Sequence, residues 1–133
     1  WMGQMSKSAL LQSTINSVRR CLMATMEKCI QDCLDCLREC ENCANACLSS
    51  DMAQMMAECI RLCGDCADLC ALCARFLSRK SSLSAEACLA CAKACELCAA
   101  ECEKHSAHAE HCKTCAEACR RCAQSCREVA HAA

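Results

Sequence analysis

The stretch CIQDCLDCLRECENCANAC, Cys29–Cys47, places cysteine at 29, 33, 36, 40, 43 and 47. The gaps alternate between four and three, the period of a helix seam, with cysteine standing where a bundle would carry leucine. Three later stretches repeat the pattern. They hold Cys59, Cys63, Cys66, Cys70 and Cys73, then Cys88, Cys91, Cys95, Cys98 and Cys102, then Cys112, Cys115, Cys119, Cys122 and Cys126. Four such seams joined by short polar connections predict an all-α, antiparallel up-down-up-down four-helix bundle with every seam turned to one core.

The rest of the composition agrees. A chain of 133 residues is long enough for one domain with a buried core. It has no proline and two glycines, so little interrupts a helix. With one Phe, one Trp and no Tyr against 22 Cys, an ordinary core is poorly supplied. The 15 basic and 16 acidic residues are mixed along the chain for a net charge of −1, which leaves no basic stripe for nucleic acid. Apolar runs are only a few residues long, so no membrane span is expected. Met2 to Leu11 lacks the roughly 7–15-residue apolar stretch of a secretory signal. The expected setting is the cytoplasm, with thiols kept reduced.

Upstream of the first seam, Leu11, Ile15, Val18 and Leu22 fall at helical spacing. An unbroken helix from there to Cys47 would be about 60 Å long, against about 21 Å for each later cysteine run. A break near Arg19–Leu22 is therefore expected. Residues 1–20 would form an extension with a short additional N-terminal helix packed elsewhere on the bundle. Residues 21–133 would form the cysteine-lined bundle, with helices at about 22–48, 52–78, 84–104 and 108–129. Ser50 and Asp51 offer caps for the second helix, and Ser81, Ser82 or Ser84 for the third. Ile30, Leu34, Leu37, Ile60, Leu62, Leu69, Leu72, Leu89 and Leu97 flank the seams, for the core or for an oligomer interface.

The thiols need a chemical reason. Cysteines three or four apart on a helix hold their Cβ atoms about 5–6 Å apart, too far for a disulfide, which needs about 3.5–4.5 Å. As mere small hydrophobes they would carry an oxidation risk that leucine or alanine avoids. They read as metal ligands. A Zn(Cys)₄ site has a net charge of −2, and several stacked in one apolar tube are costly to bury. Cu(I) is soft and suits thiolates; one Cu⁺ per thiolate leaves no net charge. With bridging thiolates the capacity would approach one ion per cysteine, on the order of 20 Cu(I). The eight C-x-x-C pairs could also suggest redox, zinc or cluster chemistry. A thioredoxin-like site needs a βαβ context, and iron–sulfur ligands usually sit on loops. The leading reading is thus a non-enzymatic Cu(I) store. The alternatives are a general thiolate buffer for zinc or cadmium, and an iron–sulfur or dithiol electron carrier.

Extending the seams distinguishes the two ends of the tube. Met52, Met56, His105 and His108 fall in register at one end, while Met55 and His111 fall off it. Met26, Leu77 and Val129 continue the seams at the other end, with Leu22 and Phe76 nearby. Copper is expected to pass Met52, Met56, His105 and His108, and Leu77 and Val129 to help close the far end. Cys21, eight residues before Cys29, departs from the register and is the weakest of the candidate thiol ligands.

The seams and the stretch His108-Ala-Glu-His111-Cys112-Lys-Thr-Cys115-Ala-Glu-Ala-Cys119-Arg-Arg-Cys122 resemble the four-helix-bundle copper storage proteins, in particular their cytosolic branch. The resemblance covers roughly residues 21–128. It implies homotetramers of bundles with an additional N-terminal helix, Cu(I) held along the bore by cysteine thiolates, and metal uptake at a His/Met-bearing end. The partners it leads us to expect are copper ions, with copper chaperones or chelators exchanging them.

Overall fold

The computed structural model of the chain describes residues 3–132. Trp1 and Met2, part of the expected extension, and Ala133 lie outside the described residues. Four helices make up the fold: α1 (Lys7–Leu48), α2 (Ala57–Ser78), α3 (Ser84–Glu103) and α4 (Glu110–Ala132). Both α1 and α3 pack against α2 and α4. The bundle is therefore antiparallel, with α1 and α3 on one diagonal.

The expected break near Arg19–Leu22 does not occur, and no short additional N-terminal helix forms among the described residues. Instead α1 runs for 42 residues, about 63 Å. A mismatch in length argues for a break, but the backbone responds to local chemistry. Neither Gly nor Pro occurs between Lys7 and Leu48, so nothing stops the helical hydrogen bonding. Ser6 starts the helix, its Oγ accepting from the Ala9 N–H at 3.1 Å. Burial begins only at Cys29.

The connections also differ in detail. Ser50 does not cap α2. Its Oγ donates to the Cys47 carbonyl (2.8 Å) and accepts from the Met52 N–H (3.2 Å), and the chain winds through turns until Ala57. At α3 the N-cap position is held by Leu83, and the serines bond around it: Ser81 Oγ accepts from the Leu83 N–H and Ser84 Oγ donates to the Ser81 carbonyl. The end of α2 is a Schellman motif. The Ser81 N–H reaches the Phe76 carbonyl (3.0 Å) and the Lys80 N–H the Leu77 carbonyl (3.1 Å), with Lys80 at φ 53° in the left-handed position.

The core has an unusual content. Among the described residues, the buried apolar side chains are cysteines and alanines, joined only by Met56 near one end and by Leu77 and Val129 near the other. Small side chains let the helices approach closely, and the alanines supply helix propensity that cysteine lacks. Ion pairs fasten the outside. Arg120 binds Glu103, with Nη2 2.6 Å from the carboxylate, and Arg127 binds Glu96 between α3 and α4. Lys28 and Asp32 of α1 both bond the buried Ser125 hydroxyl of α4.

Candidate metal centre

Helix phase alone places the thiols. All seam cysteines, from Cys29 to Cys126, are fully buried at 0% exposure, whereas Cys21 is exposed on the outside of α1. Antiparallel packing sorts the buried sulfurs into layers. Starting from the end that holds the α2–α3 connection, Cys29, Cys73, Cys88 and Cys126 have their Sγ atoms within 4.8 Å of one another. Cys33, Cys91, Cys122 and Cys126 form the next group. They are followed by Cys36, Cys66, Cys70 and Cys95, by Cys36, Cys40, Cys66 and Cys119, and by Cys40, Cys63, Cys98 and Cys115. Beyond these lie Cys59 with Cys102 at 3.6 Å and Cys43 with Cys112 at 3.9 Å.

The groups share members. Cys126, Cys36, Cys66 and Cys40 each belong to at least two, and Cys70 touches Cys91 at 3.7 Å and Cys122 at 3.9 Å to join the second group to the third, so the sulfurs make one continuous column. Neighbouring sulfurs stand at van der Waals distance, for example Cys66–Cys95 at 3.5 Å, Cys36–Cys119 at 3.7 Å and Cys40–Cys115 at 3.7 Å. All are free thiols; an S–S bond would be about 2.05 Å. Three sulfurs spaced about 4 Å apart surround a point about 2.3 Å from each, which is a metal–thiolate bond length.

Protons occupy the column when metal does not. Burial pushes the Cys47 and Cys112 thiols up, Cys112 to about 12. Deeper in, the thiols answer to one another. Hydrogen bonds from Cys122 and Cys126 hold Cys33 down at about 7, and Cys119 and Cys122 lower Cys36. Cys40 is raised by Cys115 and Cys119. A thiolate here is stabilised by adjacent S–H groups, and it keeps those neighbours protonated. Each Cu⁺ arriving between two thiols can displace a proton and leave the local charge unchanged.

The two ends differ, as the sequence suggests, but one residue changes place. His111, judged off the register, is the histidine that reaches the thiols. Its Nδ1 lies 3.5 Å from Cys43 Sγ and 3.6 Å from Cys112 Sγ. It sits in the first turn of α4, at the edge of the seam. Its position directly before Cys112 and four before Cys115 was the available signal. His105 is mostly buried. Its Nε2 has no hydrogen-bond partner and stands 3.5 Å from Glu101 Oε1. His108 is exposed and meets His105 edge to face, with ring centres 5.7 Å apart. Met56 is buried in the core cluster, but Met52 is exposed on the turns before α2 and Met55 more so. The structure thus gathers Met56, His105 and His111 at this end and leaves Met52 and His108 on its rim.

At the opposite end Leu77 and Val129 are buried, and Met26 packs against the core. Phe76 lies to the side, under the Arg79 guanidinium at 4.6 Å. No helix among the described residues is long and apolar enough to cross a membrane.

Comparison with known proteins agrees with this geometry. A family profile described as copper storage protein matches residues 22–131. Among solved structures, the chain is similar to a cytosolic copper storage protein from Streptomyces lividans loaded with five coppers. That match has 40% identity and a TM-score of 0.81, covering 83% of this chain and 95% of that one. The Cu(I)-bound copper storage protein BsCsp3 matches with 40% identity and a TM-score of 0.75, over 80% of this chain and 98% of that one. Apo copper storage protein 3 from Bacillus subtilis matches with 41% identity and a TM-score of 0.71, over 78% and 97% respectively. No curated protein matches.

Proposed function

The chain belongs to the copper storage protein family, and we propose that its thiol column holds on the order of 20 Cu(I) ions in the cytoplasm, roughly one per buried cysteine. It is a store and not an enzyme. The observation that carries this reading is that successive groups share sulfurs or touch through them. Isolated Cys₄ sites would separate their ligands; a shared column suits ions bridged by thiolates. The buried seam cysteines are the ligands, and Cys21, exposed on α1, lies outside the set.

Uptake proceeds through the end that carries His111. Met52 and His108 stand on the rim, Met56 and His105 lie within it, and the His105 Nε2 is a free donor for a passing ion. Leu77 and Val129 close the far end against water. The cytosolic relative from S. lividans supports a cytoplasmic setting. Copies of the chain associate, as a tetramer by family resemblance, and copper chaperones or small chelators exchange metal with the store.

Competition tests the choice of metal. Reduced chain offered Cu(I) and Zn(II) together, without oxygen, should fill with Cu(I) and exclude zinc; retention of zinc at equal supply would favour a general thiolate buffer. Replacing both His105 and His108 by alanine should slow copper loading more than it reduces capacity. Unchanged rates would remove these two from the uptake path.

A further inference from the structure

The seams repeat every seven residues, so thiol packing alone does not fix how far α1 is slid along α4. Cys29 meets Cys126 at 3.6 Å, and Cys33 meets it at 4.0 Å. One heptad along, Cys36 meets Cys119 at 3.7 Å, and Cys40 meets it at 3.8 Å. The flank repeats as well, with Met23, Ile30 and Leu37 at intervals of seven. A slide of one heptad, about 10.5 Å, would again set cysteine against cysteine. Neither end of α1 opposes it. The helix runs back to Lys7, well past the last layer, and the connection at 49–56 reaches about 26 Å when extended. Among the described residues, the side-chain hydrogen bonds between α1 and α2 join thiols only, as Cys36 with Cys66 at 3.7 Å.

One contact between α1 and α4 does not repeat. Ser125 is the single buried polar residue among the described ones, at 1% exposure. It directly precedes Cys126, and its partners Lys28 and Asp32 directly precede Cys29 and Cys33. Lys28 Nζ donates to Ser125 Oγ at 3.0 Å, Ser125 Oγ donates to the Asp32 carboxylate, and Lys28 closes the triangle on Asp32 at 2.9 Å. The equivalent place one heptad toward the uptake end holds buried Ala118 on α4 and half-buried Asp35 and Glu39 on α1. One heptad the other way, α4 has Ala132 and α1 has Cys21 and Thr25. Sliding α1 would therefore bring Ser125 either two carboxylates or no ion pair. A hydroxyl has one proton to donate, and like charges four apart on a helix repel. Only the observed register matches donors to acceptors.

We propose that Lys28, Asp32 and Ser125 form a register key, which fixes the axial position of α1 and so decides which sulfurs share a layer. They are positioning residues and act through the thiols beside them. A polar group in a repeating apolar seam specifies register in this way while lowering stability. Without the key, chains with α1 slid by a heptad leave Cys29, or else Cys43 and Cys47, beyond the end of the α4 seam. The layers at one end then lack their α1 ligands. Register belongs to the helices themselves; only its effect on capacity rests on the storage reading above.

Alkylation of the full-length, reduced chain by iodoacetamide, mapped cysteine by cysteine in a mass spectrometer, reads the register before any copper is added. Exposed Cys21 should react fast and the buried seam slowly. Lys28→Ala/Asp32→Ala/Ser125→Ala should keep its helicity and urea midpoint, because an apolar set can replace a buried ionic one. It should nevertheless bring Cys29, or Cys43 and Cys47, toward the Cys21 rate while Cys36 and Cys119 stay protected, and it should lose Cu(I) capacity. Adding Asp35→Lys and Ala118→Ser to that variant moves the key one heptad, with Glu39 as its carboxylate, and should restore protection and capacity together. Unchanged protection in the triple variant would overturn the proposal, and so would an even rise across the whole seam, the mark of general loosening. If the triple variant does not fold, the moved key decides: a protected seam supports the proposal, and an unprotected one overturns it. A natural chain that shows the protection pattern but binds few Cu(I) ions would count against the storage reading alone.

Discussion

Replacing His111 by alanine should slow copper uptake by about 10-fold, the scale on which residues that tune metal ligands act, while final capacity is kept. Stopped-flow loading from a Cu(I)–chelator complex measures it, and an unchanged rate would show that the Nδ1 contact with Cys43 and Cys112 plays no part. The Cys112 thiol makes a second expectation at this scale. Burial raises it from an ordinary 9.0 to about 12. A group raised on folding contributes stability that is present below its unfolded value and lost as pH climbs through the folded one. The apo-protein should therefore weaken to denaturant between pH 9 and 12, and Cys112→Ala should flatten that decline. Most of the site was legible at the residue scale because a seam of period 3.5 carries its own address: every cysteine in phase is buried, and Cys21, out of phase, is exposed. His111 was missed because phase describes the middle of a helix better than its first turn. Met52 fits the register of a helix starting at residue 52, but α2 begins only at Ala57.

Individual helices carry small, separable costs. Lys80 takes the left-handed position of the Schellman motif at φ 53°, which costs a side-chain-bearing residue roughly 1–2 kcal/mol. Glycine gives back some of this through its freedom in the unfolded chain. Lys80→Gly should stabilise the apo-protein by about 0.5–1 kcal/mol in urea unfolding, and a loss of stability would mean that the Lys80 side chain does more than turn the chain. Within α2, a Cβ added at Gly64 meets nothing within 4 Å. Gly64→Ala should add about 0.8–1 kcal/mol from helix propensity, and a decrease would reveal a neighbour against that face. The four helices were evident from periodicity, and their ends less so. Serines at a helix boundary can cap it or, as at Ser50 and Ser81, bond the preceding turn, and the residue types do not distinguish these uses. The unbroken α1 has a similar cause. The mismatch in length argued for a break, but backbone chemistry offered no place for one.

The whole molecule is a tube whose wall is helix and whose filling is sulfur. Helix packing alone buries its core of thiols and alanines, capped by Met56, Leu77 and Val129, so folding is expected to precede metal. Reduced, chelator-stripped protein should show full helical circular dichroism, in contrast to small metal domains that unfold without their ion. Filling exchanges protons for Cu⁺ without building charge in the bore, which explains how one short bundle can hold many ions. The most direct test is anaerobic titration of the reduced chain with Cu(I) against a competing chelator, counting ions bound per chain. We expect tight binding to continue to on the order of 20 ions, about one per buried thiol. Saturation at four or five, as separate Cys₄ sites would give, would contradict the shared column.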